Sequence, residues 1–227
     1  AEAGAPIAVA GDTPTHRRRL LWVGLAFVPS GLVTAVTTHV ATDIASAPFI
    51  WIVPLALFLL TFVLVFTDRP WPAPRLLARA LPFAFAVMLP LIAIGTTNIS
   101  INVGASLIGF FIAALACHRA LYQARPGTAH LTEFYLLMSV GGVLGGVFAG
   151  LVAPNVFTSV LEFPLLMALS LLSLPFLVAV DGDRKPWPIM LRIAFAGAAV
   201  VALAAALSGP GMPLHGVAVR SLAVVAA

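Results

Sequence analysis

The chain is divided into long apolar runs by short polar connections, and this division limits its possible folds more than any other feature. A helix that crosses the hydrocarbon core of a membrane needs about 20 consecutive, mainly apolar residues. Seven runs are of about that length, at residues 20–41, 47–67, 78–96, 100–120, 131–153, 163–180 and 189–208. We therefore predict an all-α fold, a polytopic membrane bundle of about seven transmembrane helices.

The composition supports a lipid environment. Of the 227 residues, 61% are hydrophobic and 9% are charged, whereas a soluble domain has roughly 25% charged residues. So few charges cannot cover a surface that faces water, and the lipid bilayer is the expected partner. The net charge is +4, but the basic residues are spread thinly between apolar runs, which argues against a nucleic-acid partner.

The basic residues also predict an orientation. All but one of the 12 Lys and Arg residues lie before the first run or in or beside alternate connections, around 69–79, 119–125 and 184–192, and the exception is Arg220. Since positive charge accumulates on the cytoplasmic side, the N-terminus is predicted to be cytoplasmic.

The two ends of the chain are predicted to lie outside the bundle. Residues 1–19 are rich in Ala, Gly and Pro and lack the pattern of a signal peptide, which favours a disordered or linker tail. Residues 20–208 form the transmembrane domain, and 209–227 are expected to be an external tail or the start of a truncated segment. Both ends lead us to expect a fragment of a longer chain.

The first candidate site lies at the end of the first run, in TTHVATDIASAP. His39 and Asp43 are four residues apart and share a helix face, with Thr38 and Thr42 on nearby faces. These four residues are candidates for a ligand or proton site near the outer interface. A structural His–Asp pair, or a helix cap at Asp43, is the alternative interpretation.

The second candidate cluster faces the cytoplasm in the predicted topology. His118 ends the fourth run, and His130 and Glu133 begin the fifth. A site formed by these residues is one hypothesis, although their spacing matches no standard zinc pattern and we predict no metal. The alternative is that the helix dipoles favour Glu133 at a first turn and His118 near a last turn.

A glycine-rich stretch, GGVLGGVFAG, predicts close helix packing. Gly142, Gly146 and Gly150 recur every four residues, as do Gly141 and Gly145. Such a nearly bare face lets another backbone approach closely. We expect it to pack against partner helices, within the chain or in a membrane protein complex.

The chain contains no recognisable catalytic or cofactor motif. It has no glycine-rich phosphate loop after a strand, and no HExxH, CxxC or GxSxG sequence. We therefore predict no catalytic residues and no cofactor in these 227 residues.

Three stretches carry a family resemblance. AFVPSGL, TTHVATDIA and HLTEFYLLMSVGGVLGG, within residues 18–180, resemble the membrane portion of bacterial proteins in which a major-facilitator-like bundle is fused to a spermidine-synthase-like domain. The resemblance implies a multi-pass protein of the bacterial inner membrane and a theme of polyamine metabolism or transport. Any aminopropyltransferase-like domain would lie beyond residue 227.

Three functions follow as hypotheses. The first is a non-catalytic membrane domain that supports an attached domain or partner complex. The second is a secondary-transporter-like bundle that moves a small, polyamine-like solute. The third is an accessory structural subunit of a larger membrane assembly.

Overall fold

The computed structural model describes residues 13–43, 51–94, 99–157 and 162–179, and within these ranges it contains helices and no strand. The all-α prediction is therefore confirmed for this part of the chain. The α-helices are α1 His16–Asp43, α2 Ile52–Val65, α3 Pro74–Ile94, α4 Ile99–Gln123, α5 Leu131–Val147, α6 Ala153–Val156, α7 Glu162–Ser170 and α8 Leu174–Ala179. Short 3₁₀ helices at Thr128–His130 and Leu171–Ser173 and a π-helix at Phe148–Val152 adjoin them.

Among the described residues, three helical stretches are long and apolar enough to cross a membrane: His16–Ala41, Ser100–Gln123 and Thr128–Val156. The apolar helices Ile52–Val65 and Glu162–Leu177 are shorter. The predicted span 189–208 and the predicted external tail 209–227 lie outside the described residues. Helix α1 begins at His16, so the end of the predicted N-terminal tail, 16–19, forms its first turn.

The third stretch continues through an irregular turn that proline explains. Pro154 lies at the start of α6 and has no N–H to donate to the carbonyl of Gly150, and its ring crowds that carbonyl. The π-helix Phe148–Val152 comes directly before it. A wider turn of this kind absorbs the missing hydrogen bond without ending the helix.

Helix α1 is the centre of the bundle and contacts α4, α5 and α7. Its buried residues include Trp22 and Leu32, both without exposed surface. The facing part of α4 is built largely from small residues, among them Ala113, Ala114 and Ala120. Small side chains let membrane helices approach closely, where van der Waals packing rather than the hydrophobic effect holds them together.

The stretch Thr128–Val156, which contains α5, is the least buried of the three long stretches. Of its most apolar part 22% is buried, compared with 50% for α1 and 44% for α4. Its outward side chains are apolar and exposed: Leu136, Val140, Val143, Leu144 and Val147. Since lipid tails are as apolar as these side chains, the exposure is compatible with contact to a bilayer.

Candidate functional site

The first predicted site lies at the end of α1, where the structure places His39 against α7. The rings of His39 and Phe163 are stacked with centroids 5.5 Å apart and 11° between their planes. The Thr38 hydroxyl donates to the carbonyl of Thr34 at 3.2 Å, a bond within its own helix. Thr42 and Asp43 lie in the last turn of α1, but their side chains are outside the described structure. Whether the four residues form a ligand site therefore stays a prediction.

The second predicted cluster is divided between two environments. His118 is buried within α4, with 1% of its surface exposed. His130 and Glu133 lie at the start of α5, where Nδ1 of His130 is 3.7 Å from Oε2 of Glu133. Glu133 also forms an ion pair of 2.5 Å with Nε of Arg19 on α1. Glu133 therefore joins α5 to α1, whereas His118 has its own partners.

The partner of His118 is a hydroxyl group on α2. Nδ1 of His118 lies 2.7 Å from the Thr61 hydroxyl oxygen, and that hydroxyl donates its single proton to the carbonyl of Phe58 at 2.6 Å. The imidazole N–H must therefore donate to the Thr61 oxygen, which fixes the tautomer. The rings of Phe58 and Phe62 flank the imidazole, with centroids 5.4 Å and 4.0 Å from it.

His118 also lines a small cavity between four helices. The cavity has a volume of about 190 Å³ and is lined by Ala26, Ser30, Phe62, His118, Met138, Ser139 and Gly142. Two serines and a histidine therefore line one space inside an apolar bundle, and none of the described residues that line it is acidic. Pockets for drug-sized ligands occupy about 300–1,000 Å³, so this cavity suits a small solute or a few water molecules. An ionisable residue inside a membrane bundle is a functional candidate by default.

The ends of α1, α2, α4 and α5 are joined on one side of the bundle. The indole N–H of Trp22 donates to the carbonyl of Ala124 at 3.0 Å, and Arg18 donates to the same carbonyl at 3.2 Å. The Tyr122 hydroxyl, near the end of α4, donates to the carbonyl of Thr67, just after α2, at 3.4 Å. Together with the ion pair between Arg19 and Glu133, these bonds form what we call the basic-end network.

The glycines of α5 have two kinds of neighbour. A Cβ atom at Gly141 or Gly145 would overlap the backbone carbonyl of Val23 or Phe27, respectively, on α1. A Cβ at Gly142 would lie 3.3 Å from the Ser30 hydroxyl oxygen and one at Gly150 would lie 3.7 Å from the Thr34 methyl group, whereas Gly146 has open space. The Gly141/Gly145 side therefore packs within the chain against α1.

Thr61, Ser30 and Ser139 were missed by the sequence analysis. Each is a hydroxyl residue within a predominantly apolar run, and a polar side chain at such a position is the signal that could have drawn attention to them. Pairing Thr61 with His118 required the packing of α2 against α4, which the sequence pattern does not specify.

Metal binding finds no support among the described residues, where no group of three or more His, Cys, Asp or Glu side chains could hold a metal ion. A comparison of the chain with known proteins finds no matching family model, no matching curated protein and no matching solved structure.

Proposed function

We propose that this chain is a non-catalytic, multi-pass membrane domain that holds an attached domain or a partner protein at the cytoplasmic face of a bacterial inner membrane. The observation that carries the proposal is the basic-end network. It fixes the ends of four helices relative to one another and leaves basic side chains such as Arg69 and Arg125 exposed beside it. A rigid, basic helix end provides a platform for a domain with an acidic surface.

The packing of α1 on α5 supports the proposed topology. The two helices run parallel: Arg19 pairs with Glu133 at one end, and Thr34 lies beside Gly150 farther along. Parallel neighbours that both start on the same side require an odd number of crossings between them, and α2, α3 and α4 supply three helices. This count fits seven spans with a cytoplasmic N-terminus.

Two observations on acidic side chains among the described residues favour this function over polyamine binding. The carboxylate of Glu133 is paired with Arg19, and the described residues that line the His118 cavity include no acidic side chain. A cationic polyamine needs carboxylates that face its binding site, because an unpaired cation is costly to bury.

Site-specific photo-crosslinking in cells tests the platform. A photoreactive residue at Ala129, exposed beside the basic-end network, is expected to give one protein adduct that mass spectrometry identifies. The matched control is Asn155, exposed at the opposite end of the same helical stretch, which should give none. Only lipid adducts at Ala129, or the same adducts at both positions, would refute the proposal.

Within the membrane, the proposed role includes the docking of a partner helix against the exposed face of α5. Gly146 has space for a side chain, so Gly146→Leu would fill the outer face without disturbing α1. Loss of the identified partner on purification, with Gly104→Leu on α4 as control, would support docking of the accessory-subunit type. Retention of that partner by the Gly146→Leu variant would exclude this face of α5 as the docking surface.

A second candidate function is the transport of a small solute, and the His118 cavity favours it. The two serines and the imidazole suit a neutral hydrogen-bonding solute or a proton better than a polyamine, since no acidic side chain is found among the described residues that line the cavity. His39 and Asp43 would then lie farther along the path, at the end of α1.

Vesicle assays test the transport function. His118→Gln and Asp43→Asn are expected to lower proton flux or spermidine uptake while the amount of folded protein is unchanged. Gly104→Leu, at a position on α4 with open space around it and outside both candidate sites, is the control. Flux and uptake that equal those of the native chain in both variants would rule the transport function out.

A further inference from the structure

An apolar groove lies along α1 on a side that is separate from the His118 cavity. Its volume is about 900 Å³, and α1 forms one wall while α7, α8 and the short helix between them form the other. Leu21 and Val28 line the first wall, and Leu169 and Phe176 line the second. A space of this size falls in the range of ligand-binding pockets.

The groove is basic at one end and apolar along its length. Arg17 and Arg18 line one end of the groove, and the part of the chain that the structure describes contributes no acidic side chain to its lining. Arg18 is held in place, because it donates to the carbonyl of Ala124 at 3.2 Å and its guanidinium lies 5.8 Å from the centre of the Trp22 ring. A guanidinium has five N–H donors, so Arg18 keeps donors for a further ligand.

The length of the groove matches one leaflet of a bilayer. The lining residues on α1 extend from Arg17 to Val28, about 16 Å along a helix that rises 1.5 Å per residue. This is about half of the roughly 30 Å hydrocarbon core of a membrane. The cationic end therefore lies at the level of lipid headgroups when the apolar walls lie among the acyl chains.

We infer that this groove binds one anionic phospholipid of the cytoplasmic leaflet, with an acyl chain between α1 and α7–α8 and the phosphate at Arg17 and Arg18. Charge complementarity selects the headgroup, because basic pockets at the cytoplasmic ends of transmembrane helices bind anionic lipid headgroups. The inference rests on the membrane placement proposed above but not on the presence of a partner protein.

Two substitutions separate the headgroup contact from the acyl-chain contact. Arg17→Gln removes an exposed charge that holds no other part of the described structure. Gly24→Leu places a side chain in the groove, and a Cβ at Gly24 meets no atom within 4 Å, so folding should be preserved. Gly104→Leu is the matched control, because Gly104 is also open but does not line the groove.

Lipid binding to the purified full-length chain in detergent can be counted by native mass spectrometry. We expect one phosphatidylglycerol per chain, bound more tightly than phosphatidylcholine with the same acyl chains. Arg17→Gln should weaken phosphatidylglycerol binding about five-fold and should weaken phosphatidylcholine binding less, because the choline cation of phosphatidylcholine offsets its phosphate charge. Gly24→Leu should weaken the binding of both lipids, and Gly104→Leu that of neither.

Several results would overturn the inference. Equal affinity of the native chain for the two lipids would contradict the proposed headgroup contact. Equal lipid affinities of Gly24→Leu and Gly104→Leu would contradict the proposed acyl-chain contact. No bound lipid on the native chain would show that a protein segment, rather than a lipid, covers the groove.

Discussion

The hydrogen bond between His118 and Thr61 joins two buried polar side chains inside the bundle. Both residues are buried, with 1% and 0% of their surfaces exposed. A buried donor without a partner costs more than the hydrogen bond itself is worth, because its desolvation is no longer compensated. The stability of the site therefore depends on a hydroxyl group at position 61.

Thr61→Val tests this dependence at the level of one residue. The substitution keeps the shape of the side chain but leaves the imidazole N–H unpaired, so we expect the free energy of unfolding to fall by about 1–3 kcal/mol. Thr38→Val removes an exposed hydroxyl that bonds only to its own helix, and its effect should stay within about 0.5 kcal/mol. Reversible unfolding in mixed detergent measures both, and equal effects would contradict the role of Thr61.

The ion pair between Arg19 and Glu133 is weaker than its short distance implies. The two side chains are 41% and 31% exposed, so solvent screens the attraction. A double-mutant cycle with Arg19→Gln and Glu133→Gln should give a coupling free energy of about 0.5–1 kcal/mol. The coupling should decrease toward zero in about 1 M NaCl, where the Debye length is about 3 Å. A coupling that does not change with salt would show that the pair is less accessible than the structure indicates.

Among the elements, the pair formed by α1 and α5 depends on the absence of two side chains. Gly145 faces the backbone of α1 near Phe27 and Gly31, and Gly146, the next residue, faces open space. Two adjacent positions on α5 therefore differ: a side chain at position 145 would overlap α1, whereas a side chain at position 146 would meet no neighbouring atom. This contrast allows the packing to be tested with the same substitution at adjacent sites.

We expect Gly145→Ala to destabilise the protein by about 1–3 kcal/mol, the usual cost of inserting a methyl group where packing leaves no space. Gly146→Ala should be neutral or should stabilise by up to about 1 kcal/mol, since alanine is the better helix former. Thermal unfolding in detergent, followed by circular dichroism, compares the two variants. Equal unfolding temperatures would mean that α1 and α5 are not in close contact at Gly145.

How far the sequence predicted this arrangement depends on which property is considered. Helix type and approximate position followed from the apolar runs, because hydrogen bonding of the backbone in lipid leaves few alternatives to a helix. The repeat of glycines predicted close packing, but not that Gly145 rather than Gly146 faces α1. The π-helix before Pro154 was not predicted, although the proline was visible in the sequence.

The candidate sites were less predictable for a physical reason. His118, His130 and Glu133 are close in sequence, and this proximity predicts one cluster. In the structure the helical rotation of α4 turns His118 toward Thr61, while Glu133 pairs with Arg19. Both partners are distant in the chain, since 57 residues separate Thr61 from His118. Contacts of this kind depend on helix packing, which apolar periodicity alone does not encode.

At the scale of the whole molecule, the proposed orientation places the basic-end network in the cytoplasm. The same end carries Arg18, Arg19 and Arg125, which agrees with the preference of basic residues for the cytoplasmic side. The opposite orientation would require these charges to be translocated, together with the residues before α1. Topology is therefore the property on which both the platform and the lipid groove depend.

Cysteine labelling in intact cells tests this orientation directly. The native Cys117 is buried and should remain unlabelled, which leaves a clean background for single cysteines. Ala129→Cys, at the basic end, should react with a membrane-permeant maleimide but be protected from an impermeant one. Asn155→Cys, at the opposite end, should react with both when the outer membrane is permeable. Reaction of Ala129→Cys with the impermeant reagent would show that the orientation is opposite to the one proposed. It would also contradict the assignment of the lipid groove to the cytoplasmic leaflet.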